Sequence, residues 1–486
     1  MQDSSYTRRG RITVNTRYRI TDRLSVGINS NFNRTEGKSF FFWQDIDNLY
    51  RPGSGSLGRG SENLRYNIDP FVTYFDKNDN RHKFLGRFFN VDNQGGTAAA
   101  DQSNVSQVYY GEYQFQRKME GLDLMLTAGA VYNGTRVRAP LYGDTTFVNN
   151  NLAGYLQLEK KFFGRLNVSA GFRYEDNTLK TPDSLFFESD RITYSGSIPG
   201  GKIKESKPVL RIGASYEVGP GTFFRASLGQ GYRFPTIAEK FIFTEFGSLP
   251  IIPNFDLESE TGWTAELGVR KGFHVNQFVG FLDASTFWSE YNNMMEFTFG
   301  TSPLAFQSQN IGDTRIKGFE VSINGRGSFF GLETTLLAGY TYIDPKFKEF
   351  GLDLPEGSRG LSNARNSSVC PANCKNILKY RYKHTAKFDM EMKYKRASFG
   401  VALLYTSFME NIDAAFESPF LPIGLKEFRE EHNSGDLILN LRAAYHFTEG
   451  IKASFLVDNV GNREYISRPG KLNAPRGFTL RMDFDF

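Results

Sequence analysis

The amino-acid sequence predicts an all-β fold, specifically a transmembrane antiparallel β-barrel of about nineteen strands with short periplasmic turns and long extracellular loops. Three observations predict it: apolar and polar residues alternate in run after run, the runs are long, and the connections between them alternate short and long. The last ten residues show the alternation most plainly. Phe478, Leu480, Met482, Phe484 and Phe486 take one face, and Thr479, Arg481, Asp483 and Asp485 take the other, because strand side chains point to opposite sides with a period of two. One whole face must therefore meet an apolar medium.

The same pattern recurs from the start of the chain. Ile12, Val14, Tyr18 and Ile20 alternate with Thr13, Asn15, Arg17 and Arg19, and beyond residues 21–23 a second run sets Leu24, Val26, Ile28 and Phe32 against Ser25, Gly27, Asn29 and Asn31. Two such runs joined tightly read as a hairpin, with the first strand near residues 11–20. Residues 166–175, 210–218, 224–233, 437–447 and 451–457 repeat it. Short turns near Asp22, Gly121, Gly164, Pro220, Gly327 and Glu449 take turns with long polar segments at 44–68, 136–147, 176–206, 233–259, 344–378, 408–434 and 461–475. Barrels of the outer membrane have this asymmetry, and a tilted spanning strand needs about 9–11 residues, longer than the usual globular strand. The apolar face is thus expected to meet outer-membrane lipid, and the polar face a wet lumen.

Composition agrees. The chain has 486 residues, with 48 Gly, 46 Phe and a mean hydropathy of −0.43, so it is aromatic and glycine-rich without the aliphatic core of a large soluble protein. No apolar run is long enough for a spanning helix. A net charge of +5 from 58 basic and 53 acidic residues is too balanced for a nucleic-acid footprint, so no nucleic-acid partner is expected. Cys370 and Cys374, four apart in a polar segment, read as a local disulfide in an oxidising compartment. Two thiolates with none of the five histidines close by cannot complete a zinc shell, so no metal site is expected.

Three stretches carry a family resemblance. In GQGYRFPTIAEKF, Gly231, Tyr232, Arg233, Pro235, Thr236 and Glu239 fit a Gly-aromatic-Arg-x-Pro-Thr-x-x-Glu segment. Asn254 and Glu260 fit the stretch that follows it, although Phe255 and Ser259 stand where prolines are usual. Asn310, Gly318 and Glu320 fit an Asn followed by a Gly-x-Glu that opens a strand; Asn459 and Tyr465 fit the penultimate hairpin region, and Phe486 the terminal aromatic read by the barrel-insertion machinery. In this order, ending at the last residue, the chain resembles the TonB-dependent outer-membrane receptors. The resemblance implies a 22-stranded barrel, a plug domain filling the lumen, and a periplasmic box that engages TonB. An odd strand count would close in parallel, as in a nineteen-stranded mitochondrial channel, whereas bacterial barrels close with even numbers; residues 1–486 are therefore expected to form one barrel domain lacking its first strands and, as the resemblance implies, the N-terminal plug.

Function follows as an expectation: energised uptake of a scarce ligand, of the siderophore, cobalamin, glycan or peptide class, with the barrel's own plug or a plug subunit, the TonB complex and a surface lipoprotein as partners. The alternatives are a passive channel, lined by Arg11, Arg17, Arg173, Arg211, Arg225 and Arg481, and a surface adhesin. Phe42, Trp43 and Tyr50, in an aromatic cluster at the outer end of a strand, read first as an interfacial aromatic girdle and second as a ligand-stacking patch. The charged inner residues, with Glu239 and Glu260, read as structural ion pairs. No Gly-x-Ser-x-Gly elbow, His-Glu-x-x-His helix or phosphate loop is present, so no catalytic residue, cofactor or enzymatic activity is expected.

Overall fold

The computed structural model describes residues 6–38, 42–53, 60–96, 101–188, 193–246, 249–299, 305–329, 331–349, 375–417 and 422–485. Cys370, Cys374 and Phe486 lie outside the described residues, as do Phe40 and Phe41. Nineteen strands form one sheet. They are β1 (Tyr6–Thr21), β2 (Leu24–Lys38), β3 (Ser61–Phe75), β4 (Arg81–Gln94), β5 (Asn104–Met119), β6 (Leu124–Ala139), β7 (Thr145–Phe162), β8 (Leu166–Lys180), β9 (Lys202–Gly219) and β10 (Thr222–Arg233). The second half holds β11 (Glu260–Val275), β12 (Phe278–Asn292), β13 (Thr314–Phe329), β14 (Leu332–Phe347), β15 (His384–Tyr394), β16 (Ala397–Thr406), β17 (Asp436–His446), β18 (Ile451–Asp458) and β19 (Gly477–Phe484).

Each strand pairs antiparallel with the next in the chain, from β1 with β2 to β18 with β19. Among the described residues no ladder joins β1 to β19, so the meander has an open seam. Register keeps like faces together. Leu441 pairs with Val457 and Val457 with Phe478, while Arg442 pairs with Leu456 and Leu456 with Thr479. The first row lies on the lipid side, where Leu480 is 74% exposed, and the second lies on the lumen side.

Strand ends refine the sequence reading. β1 begins at Tyr6, ahead of residue 11, and the segment expected as a long loop at 136–147 is mostly ladder, since β6 runs to Ala139 and β7 starts at Thr145. Arg138 faces Thr146 across those strands, so the polarity that reads as a loop is that of a paired ladder. Gly327 lies inside β13 and not in a turn; it packs so close to β12 that a Cβ would sit 2.0 Å from the Gln277 carbonyl oxygen. The tight turn at 76–80, which the sequence reading passed over although Asp76, Asn78, Asp79 and Asn80 are all turn formers, is held by Asp76 Oδ1, which accepts from the backbone N–H groups of Asn78 and Asn80 at 2.8 and 2.9 Å.

Long connections gather at the end of the sheet opposite these turns. Short turns are periplasmic in such barrels, so the long connections are extracellular and β19 ends on the periplasmic side. Two buried clusters lie among them. One packs Phe147, Leu185, Phe187 and Phe241 beneath a short helix, α1 (Ile237–Phe241). The other, larger, draws Trp43, Ile251, Phe306, Ile412 and Leu425 from loops that are far apart in sequence.

Candidate functional site

The residues that carried the resemblance build the footings of the loops. Arg233 ends β10, where its guanidinium pairs with Glu239 and approaches Glu260 at 3.7 Å. Pro235 and Thr236 lead into α1. The Thr236 hydroxyl accepts from the Glu239 N–H at 3.1 Å while Glu239 Oε2 accepts from the Thr236 N–H at 2.9 Å, a reciprocal pair that satisfies two helix-end donors. Burial works against ionisation of Glu239, but the Thr236 backbone N–H and Arg233 outweigh it and hold the carboxyl below its usual range. Gly231 has open space where a Cβ would stand, and its neighbour Tyr232 lines the same lumen cavity as Glu175.

A second footing ties two loops together. Asn310 Nδ2 donates to the Glu258 and Asn293 carbonyls at 3.0 and 2.9 Å, and its Oδ1 accepts from the Glu258 N–H at 2.9 Å. Asn254 Nδ2 donates to the Ser308 carbonyl at 2.8 Å, and Glu260 Oε2 accepts from the Met295 N–H at 2.8 Å. Gly318 is required by closeness: a Cβ there would lie 2.3 Å from the Tyr342 carbonyl oxygen. Glu320 accepts from Thr341 across the β13–β14 ladder at 3.4 Å. Asn459 is buried with a positive φ of 50°, a conformation Asn tolerates, and its side chain brackets Arg463 through bonds of 2.9 Å in both directions. The Tyr465 carbonyl accepts from the Asn473 N–H at 3.0 Å.

On these footings stands a canopy with its own core. Strands Leu249–Ile251, Phe306–Asn310 and Met295–Phe299 form a small sheet with Thr244–Phe246. Trp43 is 0% exposed; its Nε1 donates to the Ile423 carbonyl at 2.6 Å and its ring lies 5.3 Å from that of Phe428 in α2 (Leu425–Glu431). Trp43 and the buried Phe42 therefore do not form a lipid girdle, and Trp43 is not open to ligand. An indole with a satisfied N–H in an apolar cluster is a core residue. Tyr50 is half exposed, in a different environment. Asp413 accepts from Thr298 Oγ1 at 2.9 Å, from Tyr380 Oη at 2.6 Å and from the Lys379 ammonium, which joins three loops; Asp413, Thr298 and Lys379 are buried and Tyr380 is partly so.

Between core and rim opens a cavity of about 500 Å³, with Ile251, Met295, Phe297, Phe306 and Met409 among its apolar walls. Glu296, Tyr380, Arg381, Tyr382, Ser467 and Arg468 supply its polar lining. None of these polar residues was picked out from the sequence. Glu296 is 8% exposed; its Oε1 meets Arg381 at 3.4 Å, and its Oε2 is buried without a hydrogen-bond partner. Burial pushes this carboxyl up to about 7, against the opposing pull of Arg381 and Lys379.

The lumen wall is polar and internally paired. Glu112 accepts from Tyr110 Oη at 2.5 Å and Tyr155 Oη at 2.6 Å, and Glu175 accepts from Asn151 at 2.8 Å and pairs with Arg173, around a cavity of about 850 Å³. Lower down, Arg225 grips Asp283 through two bonds of 2.7 and 2.6 Å, and Arg270 joins them at 2.7 Å. A passive channel's free arginines are thus, at Arg173 and Arg225, neutralised by carboxylates on the same wall. No group of three or more metal-binding side chains occurs among the described residues.

A nineteen-strand meander with this loop canopy is matched by sequence as well. The TonB dependent receptor-like, beta-barrel family matches residues 2–460. The chain belongs to that family. Members of the TonB-dependent receptor family are receptors and transporters of the Gram-negative outer membrane, and this barrel stands in that membrane. The haemoglobin and haemoglobin-haptoglobin-binding protein A of Haemophilus influenzae is 24% identical over 271 residues, a stretch covering 46% of this chain and 24% of that protein. The present chain thus matches about a quarter of that relative's length. Among solved TonB-dependent receptors, the siderophore receptor PiuA of Acinetobacter baumannii superposes with a TM-score of 0.70 at 12% identity, covering 99% of this chain and 75% of that one. The ferric yersiniabactin receptor FyuA of Yersinia pestis gives 0.69 at 14%, covering 99% and 71%. The haemophore receptor HasR of Serratia marcescens, solved with haemophore and haem, gives 0.69 at 12%, covering 99% and 71%. At these identities the likeness is one of fold.

Proposed function

We propose that this chain is the barrel and loop canopy of a receptor that takes up a scarce ligand across the outer membrane, energised through TonB. The observation that carries the reading is the open seam beneath a preformed canopy. Unpaired N–H and C=O groups along β1 and β19 are untenable in lipid, where each costs several kcal/mol. Three further strands would close the seam at 22, a size whose lumen is plugged in outer-membrane transporters. Their plug domain, or a separate plug subunit, would sit against the paired charges of the inner wall, and a surface lipoprotein would meet the canopy from outside.

The test is made on the full protein purified from outer membranes. In planar bilayers it should stay closed, and cells should lose uptake of its cargo when TonB is deleted. Steady open-channel current from the full protein would overturn the reading in favour of a passive pore.

A further inference from the structure

The canopy cavity has a chemistry that no wall residue completes. Its walls are aromatic, aliphatic and thioether groups, with Phe297 and Phe306 stacked at 5.3 Å and only 9° apart. A glycan would press hydroxyls against such walls and leave them without partners, at a cost of the order of 1–3 kcal/mol each. Glu296 belongs to the lining, and its Oε2 is a buried acceptor with nothing to accept from. An anionic chelate could meet Arg381 and Arg468 but would bring no donor to this oxygen. What fits is an apolar ligand that brings a donor, and a cationic donor makes the stronger bond to a carboxylate. Arg468, on a different loop, adds guanidinium N–H groups to the lining, suited to carbonyl oxygens on the same ligand, whereas the neighbouring Ser467 hydroxyl already donates to Asn473 Oδ1 at 3.3 Å.

We propose that the cavity binds the amino-terminal end of a short apolar peptide, with its ammonium at the Glu296 carboxylate, its side chains on the Phe297–Phe306 wall and its carbonyls toward Arg468. The size agrees: about 500 Å³ lies within the range of small-ligand pockets, which admits the first few residues of a peptide and excludes a folded partner. This assignment names the cargo class within the uptake reading and rests on it.

Binding should depend on pH. Arg381 and Lys379 face Glu296 and favour its charged form, while Asp413 and Glu260 oppose it, and burial holds its titration near neutrality. An incoming ammonium needs the carboxylate, so protons compete with the peptide as pH falls.

The experiment is calorimetric titration of the full protein in detergent with phenylalanyl-leucyl-phenylalaninamide and with its N-acetylated form. The free amine should bind about tenfold tighter at pH 7.5, a preference worth about 1.4 kcal/mol. That preference should shrink at pH 5.5 and vanish in Glu296→Gln. Equal or tighter binding of the acetylated peptide to the unmodified protein overturns the proposal without relying on any variant's folding, as does absence of binding by both. Free-amine preference without TonB-dependent entry of labelled peptide keeps the site and removes the transport reading. TonB-dependent uptake of another cargo by a protein that ignores both peptides removes the site and keeps the transport reading.

Discussion

Asp413 and Lys379 form an ion pair in which both side chains are nearly closed to water, the carboxylate at 2% and the ammonium at 11% exposure. Thr298 and Tyr380 complete the hydrogen bonding of the same carboxylate. A buried pair that loses one partner leaves an uncompensated charge. Asp413→Ala should therefore cost the canopy about 3–5 kcal/mol. Hydrogen exchange should show protection lost across residues 293–299, 375–383 and 407–417, with the β1–β19 ladders unchanged.

Glu296 gives the canopy a pH dependence of its own. Its carboxyl titrates near 7 in the folded protein, above its ordinary 4.5, so between those values the folded form holds the proton more tightly than the unfolded form. Stability is then greatest below pH 4.5 and falls as pH rises through 7, by an amount of the order of 3 kcal/mol for the local unit. Exchange rates of the 293–299 amides, corrected for intrinsic pH effects, should show less protection at pH 8 than at pH 5. Glu296→Gln should flatten that difference.

Removing Asn310 tests the footing between two loops. Its side chain satisfies the N–H and C=O of Glu258 and the C=O of Asn293. Asn310→Ala leaves those backbone groups to find other partners and should cost about 1–3 kcal/mol. Proteolytic nicking at 250–259 and 293–313 should rise, while the heat-modifiable migration of the folded barrel stays.

The two faces of β19 make opposite predictions at adjacent positions. Leu480 points to lipid, and Thr479 pairs with Leu456 on the lumen side. Leu480→Arg should destabilise the barrel by about 2–4 kcal/mol if it lies near the bilayer midplane, and Thr479→Arg far less. Urea unfolding in lipid vesicles measures both.

Gly318 sets the spacing of β13 against β14. A methyl group there would meet the Tyr342 carbonyl oxygen at 2.3 Å and the Phe287 ring at 2.6 Å. Gly318→Ala should cost about 1–3 kcal/mol through overpacking and lower the yield of folded barrel in membranes.

The barrel was legible because its rule is local. Alternation at a period of two, read residue by residue from Ile12 to Ile20 or from Phe478 to Phe484, needs no knowledge of the partner strand. The canopy obeys no local rule. Trp43 looked like an interfacial aromatic beside a strand end, and only its bond to the Ile423 carbonyl shows that it is a core residue. Lys379 and Asp413 are 34 positions apart with no periodic relation, and Glu296 sat unread between two aromatic-rich segments. The family-like residues were legible as a pattern, yet their work, as at Asn310 and Glu239, is to hold loops in place and was visible only in three dimensions.

The distance along the chain between Trp43 and Ile423, 380 positions, has a consequence for biogenesis. Contacts of that separation form only after the intervening strands have brought their ends together. The loops that carry Trp43 and Ile423 must therefore both reach the same end of the sheet before this part of the canopy can condense. The canopy is thus a late part of this barrel to mature, and an antibody against its condensed form would report the moment at which these two loops have come together.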